Sequence, residues 1–150
     1  MILSGIYSIF SGLFGGTLDA YMQGTASALQ PGDMTMPILL TTFAITAAVV
    51  VLFYFIINYP NFNNFAGWFI FMAVNTVFNF LVGWRWLAAD FGDGKMVSVD
   101  PATGLHTPLP IFEDDLIMFG IANAVVSIVL FTVLSYCVKW WSTNCSRAPF

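Results

Sequence analysis

Three long apolar runs, each closed off by polar or turn-forming residues, organise this chain. Met36 to Asn58, reading MPILLTTFAITAAVVVLFYFIIN, holds no charged residue. As a helix it spans about 35 Å, enough to cross the hydrocarbon core of a bilayer. Thr35 and Pro37 suit a helix start, and NYPNFNNF with Pro60 suits a stop. The second run, Ala66 to Trp84, follows so closely that the first two helices must be antiparallel neighbours. The third, Leu116 to Val138, is preceded by Glu113, Asp114 and Asp115 and followed by Lys139, charges that complement the helix dipole at both ends. The pattern predicts an all-α integral membrane protein with transmembrane helices over 36–58, 66–84 and 116–138, forming a single membrane domain.

Residues 1–30 read differently. Two shorter helices are broken at Gly15-Gly16, and the second, Leu18 to Leu29, is stopped by Pro31-Gly32. Ile2, Ile6, Ile9 and Leu13 recur at helical spacing, while Ser4, Ser8 and Gly12 form a small-residue stripe. These are expected to be amphipathic helices lying in the membrane interface or entering it partway, with the small stripe packed on a neighbouring helix or on another subunit. No Lys or Arg precedes the first apolar run, so it is expected to belong to the working protein rather than to a secretory leader. Between the second and third spans, 85–115 is expected to be an extramembrane loop. It carries a β-hairpin with arms Met96 to Val99 and Leu105 to Leu109 around the turn DPATG. Pro108 and Pro110 are expected to block the second arm from further pairing. Residues 139–150 form a tail.

Composition sharpens the assignment. The chain is 59% hydrophobic and only 8% charged, against about a quarter charged in soluble domains. Its mean hydropathy is +0.83. Such a chain cannot cover a water-facing surface, so the lipid bilayer is its expected partner. With a net charge of −4 and four Lys and Arg, no basic patch is available for nucleic acid. All eight acids fall on the hairpin side of the three spans, whereas the basic residues divide evenly, Arg85 and Lys95 against Lys139 and Arg147. Orientation follows Lys and Arg rather than net charge. The C-terminus is expected to be cytoplasmic because its basic residues have no acids beside them.

Each span carries one small or polar stripe: Thr42 and Thr46 on the first, Asn75, Thr76, Asn79 and Gly83 on the second, Gly120, Asn123 and Ser127 on the third. An amide facing hydrocarbon without a partner is costly. The stripes are therefore expected to face one another, another subunit or water, which makes these residues helix-packing or pore-lining candidates. Trp84, Arg85 and Trp86, with Trp140 and Trp141, are expected to be interface anchors, Arg85 snorkelling at a helix end. No Asp, Glu, Lys, Arg or His lies within the spans, which disfavours proton-coupled transport, ion pumping and voltage sensing.

Outside the spans, candidate chemistry is thin. His106 is a lone loop histidine. DFGDG shares letters with the kinase metal-binding triplet but lacks its companion motifs and reads as a Gly-rich turn. Asp90, Asp93 and Asp100 match no calcium-loop spacing. Cys137 and Cys145 suit ordinary thiols. No P-loop, CxxC, HExxH or nucleophile pairing occurs. No cofactor, metal or enzymatic activity is expected. The leading expectation is a structural or scaffolding membrane subunit, partnered by other membrane subunits or by copies of itself. The alternatives are a small oligomeric pore, holin-like or effector-like, and a module whose acidic loop captures a basic partner.

Overall fold

In the computed structural model, which describes residues 5–27, 29, 32–56, 65–100 and 102–139, three long helices carry the fold. A 3₁₀ turn, Tyr7–Phe10, leads into α1, Ser11–Phe14, and α2, Gly16–Met22. Helix α3, Thr35–Val51, continues as a π-helical turn, Leu52–Ile56. Helix α4 is Phe65–Gly92, strands β1 and β2 are Val97–Val99 and His106–Pro108, and α5 is Glu113–Lys139. The span α3 with its π turn, α4 and α5 are each long and apolar enough to cross a membrane. Most of the NYPNFNNF turn and the tail, with Trp140 and Trp141, lie outside the described residues.

The helix ends correct the sequence reading. Helix α4 does not stop at Trp84; it runs two further turns, because Leu87, Ala88 and Ala89 are good helix formers. It ends where Gly94 adopts φ 67°, its N–H donating to the Phe91 carbonyl at 3.1 Å and Lys95 N–H to the Asp90 carbonyl at 3.1 Å. That is a Schellman stop, which needs a residue free to enter the left-handed region. The same device at Gly24, φ 73°, ends α2 at Met22 rather than at Leu29. Helix α5 takes its three acids into the first turn, in keeping with their reading as a helix start, and there Asp115 Oδ2 accepts the Phe112 N–H at 2.9 Å.

The N-terminal break falls at Gly15, φ 86°, as the sequence suggested. The face turned to the rest of this chain, however, is not the small stripe, of which Ser4 lies outside the described residues. Gly12 is exposed and Ser8 half-buried, while Tyr7, Phe14, Leu18, Tyr21 and Met22 are buried. Phe14 and Tyr7 both pack on the Phe119 ring of α5, with ring centroids 5.5 and 5.1 Å away. Aromatic area outweighs close backbone approach here. Ile9 and Leu13 point outward.

The hairpin is antiparallel, with Val97 opposite Pro108, Ser98 opposite Thr107 and Val99 opposite His106. Pro108 does not obstruct pairing with β1, the one strand that β2 meets among the described residues. Leu109 N–H donates to the Met96 carbonyl at 3.0 Å and Asp100 N–H to the Leu105 carbonyl at 3.0 Å. The intervening Val97–Pro108 pair is therefore a non-hydrogen-bonded one, and no donor is missed.

Candidate functional site

The buried stripe of α4 is Asn75, Asn79, Gly83 and Leu87, one residue per turn, facing α5. Gly83 sets how close the helices come: a Cβ added there would lie 2.9 Å from Asn123 Cβ and 3.0 Å from its Nδ2. Gly120 serves the same seam, since a Cβ there would lie 3.0 Å from the Phe80 ring and 3.1 Å from Trp84 Cβ.

That approach brings the amides together. Asn123 Oδ1 accepts from the Tyr7 hydroxyl at 2.6 Å and from the Thr42 hydroxyl at 3.0 Å, while its Nδ2 donates to the Asn79 backbone carbonyl at 2.7 Å. One side chain thus joins α5 to α3, α4 and the N-terminal segment. Asn79 Nδ2 points at the Asn75 carbonyl at 2.9 Å, Asn75 Oδ1 at 3.1 Å and Thr46 Oγ1 at 3.5 Å. Asn75 Nδ2 donates to the Ser127 carbonyl at 3.3 Å, and the Ser127 hydroxyl donates to the Ala124 carbonyl at 2.7 Å. Asn79 Oδ1 alone in this group has no partner among the described residues.

Of the expected stripe residues, the structure places Thr42, Thr46, Asn75, Asn79, Gly83, Asn123 and Ser127 at this one interface, all buried. Thr76 stands apart, half-buried, its hydroxyl returned to the Met72 carbonyl of its own helix at 2.8 Å. Tyr7 was missed by sequence reasoning. Its position on a short helical segment, between Ile6 and Ser8, gave no stripe to notice, although a tyrosine amid apolar residues does call for a partner for its hydroxyl.

Arg85 is exposed and lies seven residues before the end of α4, so it does not mark the helix end. Trp84 and Trp86 are half-buried and pack against the main core. Trp140 and Trp141, the other expected anchors, lie outside the described residues.

A second polar cluster closes the hairpin end. Asp90, buried on the last turns of α4, accepts from the Tyr21 hydroxyl at 3.3 Å and pairs with Lys95 Nζ at 2.8 Å; Lys95 also meets Asp93 at 3.1 Å. Burial, and secondarily the Asp90 carboxylate, push the Tyr21 phenol well above its ordinary pKa. Hydrogen bonds to Asp90 and then to Asp93 raise the Lys95 ammonium. The Ser27 hydroxyl lies 3.1 Å from the Lys95 carbonyl and 2.7 Å from that of Val97, tying the segment after α2 to β1. Asp90 and Asp93 thus converge on Lys95, whereas Asp100 folds back on its own turn, accepting Ala102 N–H at 2.9 Å and the Thr103 hydroxyl at 2.7 Å. Among the described residues no three of His, Cys, Asp and Glu come together as metal ligands would. His106 is exposed on β2.

The interior network consists of amides, hydroxyls and one phenol, groups that join helices by hydrogen bonds. Comparison with known proteins finds no matching family model, no matching curated protein and no matching solved structure.

Proposed function

We propose that this chain is a non-enzymatic structural or scaffolding subunit, integral to a membrane and part of a larger membrane-anchored assembly. The supporting observation is that the amide stripes are consumed inside one chain. Asn75, Asn79 and Asn123 bond to groups of α3, α4, α5 and Tyr7, which leaves Leu40, Phe43, Phe69, Val77, Phe78 and Val129 exposed on the outer faces. A body of this kind is held rigid from within and offers apolar surfaces to lipid, to other subunits or to copies of itself. In this reading Tyr7–Phe14 enters the membrane partway beside α5, and the C-terminus is cytoplasmic. A pore lined by the same amides requires them to give up these internal bonds and turn towards water.

Native mass spectrometry of the complex, extracted gently from its own membrane, tests the reading. The expected result is co-extracted subunits in fixed ratio. A chain recovered alone as a monomer overturns it, and a homo-oligomer that makes liposomes leak establishes the pore instead.

A further inference from the structure

We propose that the cleft between the end of α4 and the start of α5 binds the ammonium headgroup of a zwitterionic phospholipid of the ethanolamine type. The inference rests on the chain's lying in a membrane. The cleft has a volume of about 400 Å³, and among its walls are Trp84, Phe91 and Gly92 from α4 and Glu113 and Ile117 from α5. It is the extension of α4 beyond Trp84 that creates it.

Depth comes first. A hydrocarbon core of about 30 Å takes up about 20 residues of helix. Helix α4 has 28 residues, so the turns beyond Trp84 stand in the headgroup layer, and the cleft stands with them. Its floor, Trp84 and Ile117, is apolar and faces the acyl-chain boundary.

Charge comes second. Three features of the cleft favour a cation: the Glu113 carboxylate, the Trp84 and Phe91 rings in its wall, and the negative end of the α4 dipole at Gly92. Glu113 is exposed and has no charged partner among the described residues; Lys95, the nearby cation on this side, is taken by Asp90 and Asp93. The positive end of the α5 dipole is already offset by Glu113, Asp114 and Asp115 in its first turn.

The order of charges along the membrane normal comes third. Arg85 precedes Gly92 by seven residues, which puts it on the same helix face and about 10 Å deeper. It is exposed and likewise has no charged partner among the described residues. A guanidinium below and a carboxylate above match the phosphate and the ammonium of such a lipid, taken from the glycerol outward.

The test uses the full chain in nanodiscs holding equal amounts of phosphatidylethanolamine and phosphatidylethanol, which shares the phosphate but lacks the ammonium. Lipid retained on the ejected protein is read by native mass spectrometry. The expected result is about a fivefold preference for the ethanolamine lipid. Glu113→Gln abolishes that preference, and Arg85→Gln lowers retention of both lipids alike. Equal retention by the unaltered chain overturns the proposal, as does a preference that Glu113→Gln leaves intact, with circular dichroism confirming that the variant is folded. Displacement of the lipid by soluble ethanolamine phosphate also overturns it, in favour of a soluble ligand. A chain that fails to enter the nanodisc at all fails at the membrane reading, a separate outcome from an inserted chain without lipid preference.

Discussion

The seam between α4 and α5 is built in two ways along its length. Towards the hairpin it is made of glycines and amides, with Gly83 against Asn123 and Gly120 against Trp84. Towards the other end it is made of rings. Trp68 of α4 packs on Phe131 of α5 with centroids 5.6 Å apart, and Val50, Phe53 and Tyr54 of the first span complete the cluster, Phe53 meeting Tyr54 edge-on at 4.9 Å. Across this aromatic half, Trp68 Nε1 donates to the Ser135 hydroxyl at 3.3 Å. Between helices in lipid the hydrophobic effect gives little net drive, so both halves rely on packing and hydrogen bonds. Rings gain dispersion in several nearby registers. Amides do not, because sliding α5 by one residue strips Asn123 of all its partners. The amide half therefore fixes register and rotation, and the aromatic half fills volume.

The sharpest way to break that comparison is to push the amide half apart. Gly83→Leu drives atoms into Asn123, which is held from three sides and cannot step back. The expected loss is about 3 kcal/mol, read as a shift in unfolding by denaturing detergent. Gly120→Ala adds a single carbon against the edge of Phe80 and the Trp84 Cβ, and is expected to cost about 1 kcal/mol. If Gly83→Leu unfolds like the unaltered chain, α4 and α5 are not apposed at this level. Next in size is Asn123→Ala, expected to cost about 2 kcal/mol because Tyr7, Thr42 and the Asn79 carbonyl lose their partner together. Combining it with Tyr7→Phe should cost less than the two changes summed, since the second removes a hydroxyl already orphaned. Additive losses would mean that the Tyr7–Asn123 bond carries no energy. Trp68→Phe, in the aromatic half, gives up its hydrogen bond and part of its ring, and about 0.5–1 kcal/mol is expected. A cost matching that of Asn123→Ala would erase the distinction between the halves.

Much of this was legible in the sequence, and the reason is lipid. A bilayer forces long uncharged runs, and Asn75, Asn79 and Asn123 stood out because an amide there must find a partner. That they meet inside one chain was not legible, since stripe phase alone leaves the direction each helix faces open. The end of α4 was misplaced for a related reason. Tryptophans such as Trp84 and Trp86 are a cue to a change of environment, not to a helix end, and the helix is stopped by backbone geometry at Gly94. Asp90 was set aside as part of a Gly-rich turn, because nothing local announces that Tyr21, far away in sequence, will cover it.

The smallest effect separates both halves of the seam from the hairpin above them. No Asp, Glu, Lys, Arg or His lies on α4 from Phe65 to Trp84 or on α5 from Leu116 to Val138, so mild acid has nothing to titrate along the seam itself. In the hairpin turn, the Ala102 N–H, and then the Thr103 hydroxyl, hold the Asp100 carboxyl below its ordinary pKa. The folded value is thus lower than the unfolded one. Its stabilising contribution is fully present above the unfolded value, about 3.9, and is lost as pH falls through the folded value. The Ala102 amide resonance should therefore titrate with a midpoint below about 3.9. The side-chain amides of Asn75, Asn79 and Asn123 and the Trp68 indole should stay where they are. Asp100→Asn keeps an acceptor oxygen for the Ala102 N–H and should remove the titration. A midpoint at or above the ordinary value would mean that the turn does not grip its carboxylate. Movement of the Asn123 resonance in the same pH range would mean that the seam is coupled to the hairpin, which the path from Asp90 through Tyr21 and α2 to Tyr7 makes the first route to examine.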